Sequence, residues 1–190
     1  MMKELSLHIL DITENSIRGG GTEITINVTE DIPGNLFIME IIDNGRGIVP
    51  DILESIKNPF TTTRTHRNVG MGIPFLNDTC LQCGGSLDIE SSPDTGTRVT
   101  ATMEHNNIDR PPLGDISLTL VNMFASYPDI NFTYNHTYKG AGADEAEEFS
   151  ISTKELNEIL EGVPLSNPDV YAWVRDYIKE NIGELYGNNL

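Results

Sequence analysis

From residue 3 to residue 18 the apolar positions Leu5, Ile9 and Ile12, flanked by Leu10 and Ile17, recur at three- and four-residue spacing, and the run stops at Gly19-Gly20-Gly21. That pattern predicts an amphipathic helix with a glycine stop. The period then changes to two. Ile24, Ile26 and Val28 alternate with Thr25 and Asn27, and after Pro33-Gly34 a more apolar run extends from Leu36 to Ile42, so a hairpin is expected. Val49-Pro50 opens a short predicted helix to about Ile56. Residues Lys57 to Asn68 have no apolar period and read as a lid, and Gly70 to Leu81 reads as a further helix. Leu87 and Ile89, then Val99, Ala101 and Met103, alternate around Pro93-Asp94-Thr95-Gly96 and predict a second hairpin. The order helix, hairpin, helix, lid, helix, hairpin predicts an α+β fold, one mixed sheet with helices on one face.

Beyond His105-Asn106-Asn107 the texture changes, and Arg110-Pro111-Pro112 reads as a boundary. The expected division is a first unit, residues 1–105, and a small C-terminal α/β extension, residues 106–190, in which no chemical motif is found. Here Asp115 to Ala125 predicts a helix, and Ile130, Phe132 and Tyr134 alternate as a strand. Gly140 to Glu148 reads as a small-residue, acidic, mobile loop. Ser152 or Thr153 caps a helix through Leu160, and Ser166-Asn167-Pro168 starts a last helix with Val170, Trp173, Val174, Tyr177 and Ile178 on one face.

Composition narrows the function. The chain of 190 residues carries a formal net charge of -17, which repels nucleic acid and anionic membrane surfaces at long range. No apolar run reaches the length of a membrane span, and Met1-Met2-Lys3-Glu4-Leu5 leads straight into the first helix without a secretory core, so a cytoplasmic protein is expected. Cys80 and Cys83 form one Cys-x-x-Cys, two ligands short of a structural zinc site, and read as packing or solvent-exposed residues at a helix end, with a redox or metal role as the alternative. His8, His66, His105 and His136 show no metal-ligand spacing.

Against that background four segments carry chemistry. On the first helix Asp11, Glu14, Asn15 and Arg18 share a face. Asn15 offers a neutral carbonyl oxygen to magnesium, and Asp11 or Glu14 can accept a proton or orient a nucleophile. In Asp43-Asn44-Gly45-Arg46-Gly47-Ile48 a carboxylate ends an apolar strand, and the glycines after it let a planar ring approach the backbone. An acceptor-only carboxylate matches the exocyclic amine of adenine. Gly70-Met71-Gly72 enters a helix whose first amides favour an anion, and Lys57, Arg64 and Arg67 precede it. With Gly96-Thr97 these segments describe a pocket for ATP and Mg2+.

In order and spacing, residues 1–105 resemble the GHKL, or Bergerat-fold, ATP-binding domain shared by sensor histidine kinases, gyrase-type topoisomerases, ninety-kilodalton heat-shock chaperones and mismatch-repair ATPases. Pro59-Phe60-Thr61-Thr62-Thr63-Arg64 followed by Gly70-Met71-Gly72 is similar to the short lid of histidine kinases and anti-sigma-factor serine kinases. The resemblance implies a two-layer α/β sandwich. It implies that Asn15 coordinates magnesium, Asp43 binds the adenine amine, Gly45 and Gly47 shape the base pocket, Gly70 and Gly72 lie near the phosphates, and Thr97 supports the adenine through water. Arg18, Ile48, Phe60, Thr62, Thr63, Arg64 and Met71 fall in the same nucleotide site.

The chain also departs from that family pattern. Asp11 stands where ATP-hydrolysing relatives commonly have glutamate, which implies slow hydrolysis, and Asn68 stands where many have glycine, which implies a stiffer lid. Only about ten residues precede Asp11, so a phosphoacceptor histidine is expected on another protein. Three functions follow: a stand-alone kinase module acting on a partner protein, with Lys57 and Arg64 stabilising the transferred phosphoryl; an ATP-dependent protein-binding switch; or an ATPase of the gyrase type, which would require a phosphate-binding lysine from a following domain.

Overall fold

The computed structural model describes residues 3–48, 72–93 and 95–187. The predicted helix from Val49 to Ile56 and the lid from Lys57 to Asn68 lie outside them. Helix α1 spans Leu5–Arg18, and its buried residues Leu5, Ile9, Ile12 and Ser16 continue one stripe. Strands β1 (Glu23–Asp31) and β2 (Leu36–Asp43) form the predicted antiparallel hairpin. Its turn is held by Asp31, whose carboxylate accepts from the Gly34 amide at 3.0 Å, while Asn35 takes the left-handed conformation (φ 52°) that asparagine tolerates. Helix α2 (Gly72–Gln82) precedes the second hairpin, β3 (Ser86–Ser92) and β4 (Gly96–Glu104).

The segment after residue 105 extends the same sheet. Helix α3 (Ile116–Ser126) leads to β5 (Asn131–Lys139), which pairs parallel with β1, and β6 (Glu147–Ser152) pairs antiparallel with β5. The order is β3-β4-β2-β1-β5-β6, a mixed six-stranded sheet. Glu147 and Glu148, expected in a mobile loop, are the first residues of β6: the strand forms because β5 offers it a partner, a tertiary effect that local composition does not carry. Helices α4 (Thr153–Ile159) and α5 (Pro168–Leu185) follow, capped by Ser152 and Asn167. On α5 the buried stripe is Val174, Ile178, Ile182 and Leu185, whereas Trp173 and Tyr177 stand exposed on its shoulder.

Arg110 to Leu113 is bonded to α1. The Leu5 and Ser6 amides, two of the donors a helix start leaves free, give hydrogen bonds of 2.9 Å to the carbonyls of Pro112 and Leu113. Arg110 stacks its guanidinium over the Phe37 ring.

One face of the sheet is apolar and covered. Ile24, Ile26 and Val28 on β1, Phe37, Met39 and Ile41 on β2, Val99, Ala101 and Met103 on β4, and Phe132 and Tyr134 on β5 are buried with the helices. The opposite face carries a row of hydrogen bonds across five strands. Ser150 donates to Asn135, Asn135 to Asn27 and Asn27 to Glu40, each at 2.8 Å, and Arg98 donates to Glu40 at 2.9 Å. That polar row suits a face in contact with water and fixes strand register from one side, as the apolar alternation does from the other.

Candidate active site

The site is built where the C-terminal end of α1, the end of β2 and the β3–β4 turn converge. The chain leaves α1 through Gly19 and Gly20, the latter at φ 85°, and the Gly21 amide donates back to the Ser16 carbonyl at 3.0 Å. This turn brings Ser16 over the end of β2. Asp43, only 6% exposed, accepts from the Ser16 hydroxyl at 2.5 Å through Oδ2 and from the Gly45 amide at 2.9 Å through Oδ1. A buried carboxylate so fixed keeps further acceptor capacity on both oxygens.

The glycines beside it leave no room for side chains. A Cβ on Gly45 would lie 3.0 Å from both Asp43 Oδ1 and the Gly19 carbonyl. Gly47 (φ 67°) and Gly96 (φ 80°) adopt left-handed backbone, and a Cβ would meet the Ser92 carbonyl at 2.1 Å and the Asp43 carbonyl at 2.0 Å respectively. Thr97 pairs in register with Asp43, and its hydroxyl lies 2.9 Å from the Ser91 hydroxyl, which also accepts from the Ile48 amide at 2.8 Å. Asp43, Gly45, Gly47, Ile48 and Thr97 are thus brought together.

The face of α1 forms as expected. Asn15 Nδ2 is 3.4 Å from Asp11 Oδ2, and Arg18 donates to Asn15 Oδ1 at 3.2 Å and to Glu14 at 2.6 Å. Asp11 also packs on the start of α2, its carboxylate filling the space that a side chain on Gly72 would take. Phe60, Thr62, Thr63, Arg64, Gly70 and Met71 lie outside the described residues.

Sequence reasoning missed Ser16, Ser91 and Gly21. Ser16 had a signal: it is the next position of the stripe Leu5, Ile9, Ile12, so its hydroxyl is buried and needs a partner. Ser91 had none, since its role depends on the register of β3 against β4. Of the readings open for the cysteine pair, the structure shows packing and not solvent exposure. Both thiols are buried, and burial, with neighbouring Cys83, pushes the Cys80 thiol up to about 12. Among the described residues no group of His, Cys, Asp and Glu is arranged to hold a metal, and no helix is long and apolar enough to cross a membrane.

Comparison with known proteins places the match on this part of the chain. The profile described as histidine kinase-, DNA gyrase B-, and HSP90-like ATPase matches residues 3–107. The sensor histidine kinase ZraS of Escherichia coli O157:H7 is 29% identical over 106 residues, 56% of this chain and 23% of that protein. Sporulation kinase D of Bacillus subtilis is 31% identical over 99 residues, 50% of this chain and 19% of its own. The chain therefore spans less than a quarter of the length of these two relatives. Among solved structures, the N-terminal domain of a DNA repair protein superposes with a TM-score of 0.52 at 14% identity, covering 79% of this chain and 52% of that one, a likeness of fold.

Proposed function

Because the chain belongs to the histidine kinase-, DNA gyrase B-, and HSP90-like ATPase family, we propose that it binds Mg-ATP at the Asp43 end of the sheet and acts in the cytoplasm as a kinase module on a partner protein. The observation that carries the nucleotide reading is the buried Asp43 carboxylate, held by Ser16 and Gly45 beside glycines that let the neighbouring backbone close tightly around it. Its remaining lone pairs suit the adenine amine, and Thr97, across the ladder, supports the same base. Gly72 at the start of α2 supplies backbone amides for phosphate.

Asn15 fits magnesium as a neutral oxygen donor, since its carbonyl keeps a lone pair beyond the one Arg18 occupies. Bound, the ion would screen phosphate charge and orient the transferred group. Asp11 is the stronger candidate than Glu14 for positioning a nucleophile: Glu14 is paired with Arg18, while Asp11 stands against the start of α2. Phe60, Thr62, Thr63, Arg64, Gly70 and Met71 complete the proposed nucleotide site from sequence. The second reading, a protein-binding switch with little phosphotransfer, is favoured by Asp11 being one methylene shorter than the usual glutamate.

Calorimetric titration with ATP and with a non-hydrolysable analogue, with and without magnesium, tests the reading. Asp43→Asn keeps an acceptor for the Gly45 amide but presents an amide to adenine, and should weaken binding at least about 100-fold, on the order of 3 kcal/mol, with the melting temperature little changed. Equal affinity in the variant removes the pocket. Release of labelled phosphate by the protein alone marks an ATPase, transfer to an added protein a kinase, and neither a switch.

A further inference from the structure

The far edge of the sheet carries a second feature. β6 is the terminal strand, and beside it a groove of about 680 Å³ runs between β6, α4 and α5, lined by Ile151, Leu156, Ile159, Trp173 and Tyr177. Its apolar groups are open to solvent: Ile159 is 66%, Trp173 47% and Tyr177 40% exposed, and the last two rings stack with centroids 5.7 Å apart. Clustered exposed aromatics beside a strand edge that has no partner among the described residues are a recognition feature. The surroundings are acidic. Glu155 and Glu158 line the groove, and Asp144, Glu145, Glu147 and Glu148, all exposed, lead into and along β6. Glu155 is held there by the N-cap Ser152, its carboxylate accepting from the Ser152 hydroxyl at 2.8 Å while its amide donates to that hydroxyl at 3.2 Å.

We propose that this edge binds an extended basic segment of a partner protein, which adds a seventh strand beside β6. The alternation of β6 dictates the partner's pattern. Phe149 and Ile151 face the covered side of the sheet with the groove, whereas Glu148 and Ser150 pair with Thr137 and Asn135 on the polar side. A strand added there places every second residue against Trp173, Tyr177 and Ile159, where apolar side chains fit, and the residues between them against Glu148, where lysine or arginine fits. A second copy of this chain is the wrong occupant, because a chain of net charge -17 would bring like charge to this acidic edge. The assignment is independent of nucleotide, since it uses no residue of the Asp43 site.

Trp173 is the sole tryptophan, so its fluorescence reports the groove directly. The probes are a short peptide alternating lysine with leucine, its glutamate-for-lysine counterpart, and the basic peptide N-methylated on one backbone edge. The full chain should show a saturable fluorescence shift with the basic peptide, weakened by salt, and none with the other two. Glu148→Lys with Glu158→Lys, both on exposed side chains, should reduce affinity at least about tenfold at unchanged melting temperature. No saturable shift with the basic peptide overturns the proposal, as does an equal response to the acidic or N-methylated one, or unchanged affinity in the double variant. Concentration-dependent dimerisation abolished by Trp173→Ala overturns it in favour of a second copy.

Discussion

Glu30→Gln tests how the C-terminal part of the chain is held to the first. Glu30 is 6% exposed on the covered face of β1, where Ile24, Ile26 and Val28 precede it in the alternation. Three residues from separate parts of the chain meet it. His105 Nε2 lies 2.8 Å from Oε2, His136 Nε2 3.1 Å from Oε1, and the Tyr186 hydroxyl donates to Oε1 at 2.5 Å. With Nε2 donating to Glu30, the other nitrogen of His136 accepts from the buried Tyr134 hydroxyl at 2.9 Å. Burial alone would raise the Glu30 pKa, but hydrogen bonds from His136, Tyr186 and His105 more than reverse it, from 4.5 to about 2.

That displacement is worth about 3 kcal/mol in favour of the folded state. Its sign is set by proton binding. Between pH 4.5 and about 2 the unfolded chain takes up a proton at Glu30 and the folded chain does not, so this stabilisation is complete above 4.5 and disappears as pH falls through the window. Glutamine has no charge to protonate and turns a donor toward His105 or Tyr186. At pH 7 the variant should lose about 3 kcal/mol, a fall in urea midpoint of roughly 1 to 2 M. The difference from the parent protein should shrink steadily below pH 4.5. Urea denaturation followed by Trp173 fluorescence from pH 7 to pH 3 measures both. A loss under about 1 kcal/mol at pH 7, or a gap independent of pH down to 3, refutes the assigned role of Glu30.

Three further outcomes are expected. Ser16→Ala removes the only side-chain donor found on Asp43 among the described residues, and should lower ATP affinity about tenfold and stability by about 1 to 2 kcal/mol, read by calorimetry and urea denaturation. Gly47→Ala places a Cβ against the Ser92 carbonyl at a left-handed residue, so the melting temperature should fall with a loss of at least about 1 to 3 kcal/mol; an unchanged melting temperature contradicts the described turn. Cys80 and Cys83 should resist a thiol reagent at pH 8 in the folded protein and react at the rate of unfolding, and rapid labelling of both would refute their burial.

The sequence made the helices and hairpins of the first hundred residues legible because their burial is one-sided: period 3.6 on α1 and period 2 on β1, β2 and β4 follow from packing one face. β5 was legible for the same reason. β6 was not, since Glu147 and Glu148 gain strand structure only from pairing with Tyr138 and Thr137 across a chain reversal. Among candidate site residues, Asp43, Gly45 and Gly47 were found because their chemistry is local to one turn. Ser16 and Ser91 reach the site through tertiary pairing, and single-strand spacing cannot state that.

A common arrangement links Ser16, Asp43, Glu30 and His136. On four elements of the core the apolar series ends in a polar residue that is also buried: Ser16 after Ile12, Asp43 after Ile41, Glu30 after Val28, and His136 after Tyr134. Such a residue needs partners from elsewhere in the chain, so it marks where elements meet. Ser16 and Asp43 meet at one end of the sheet, and Glu30, His105, His136 and Tyr186 at the other. β1 connects the two, because Ile24 pairs with Asp43 and Glu30 lies six residues further along, roughly 20 Å away. The first end has an Asp43 carboxylate with acceptor capacity left over among the described residues, which suits a ligand. The second is saturated by its own side chains, which suits a clamp on the C-terminal helix. Glu30→Gln should therefore reduce stability without changing ATP affinity under conditions where the variant remains folded, while Ser16→Ala changes both; a parallel loss of affinity in Glu30→Gln would mean that β1 transmits strain between its ends.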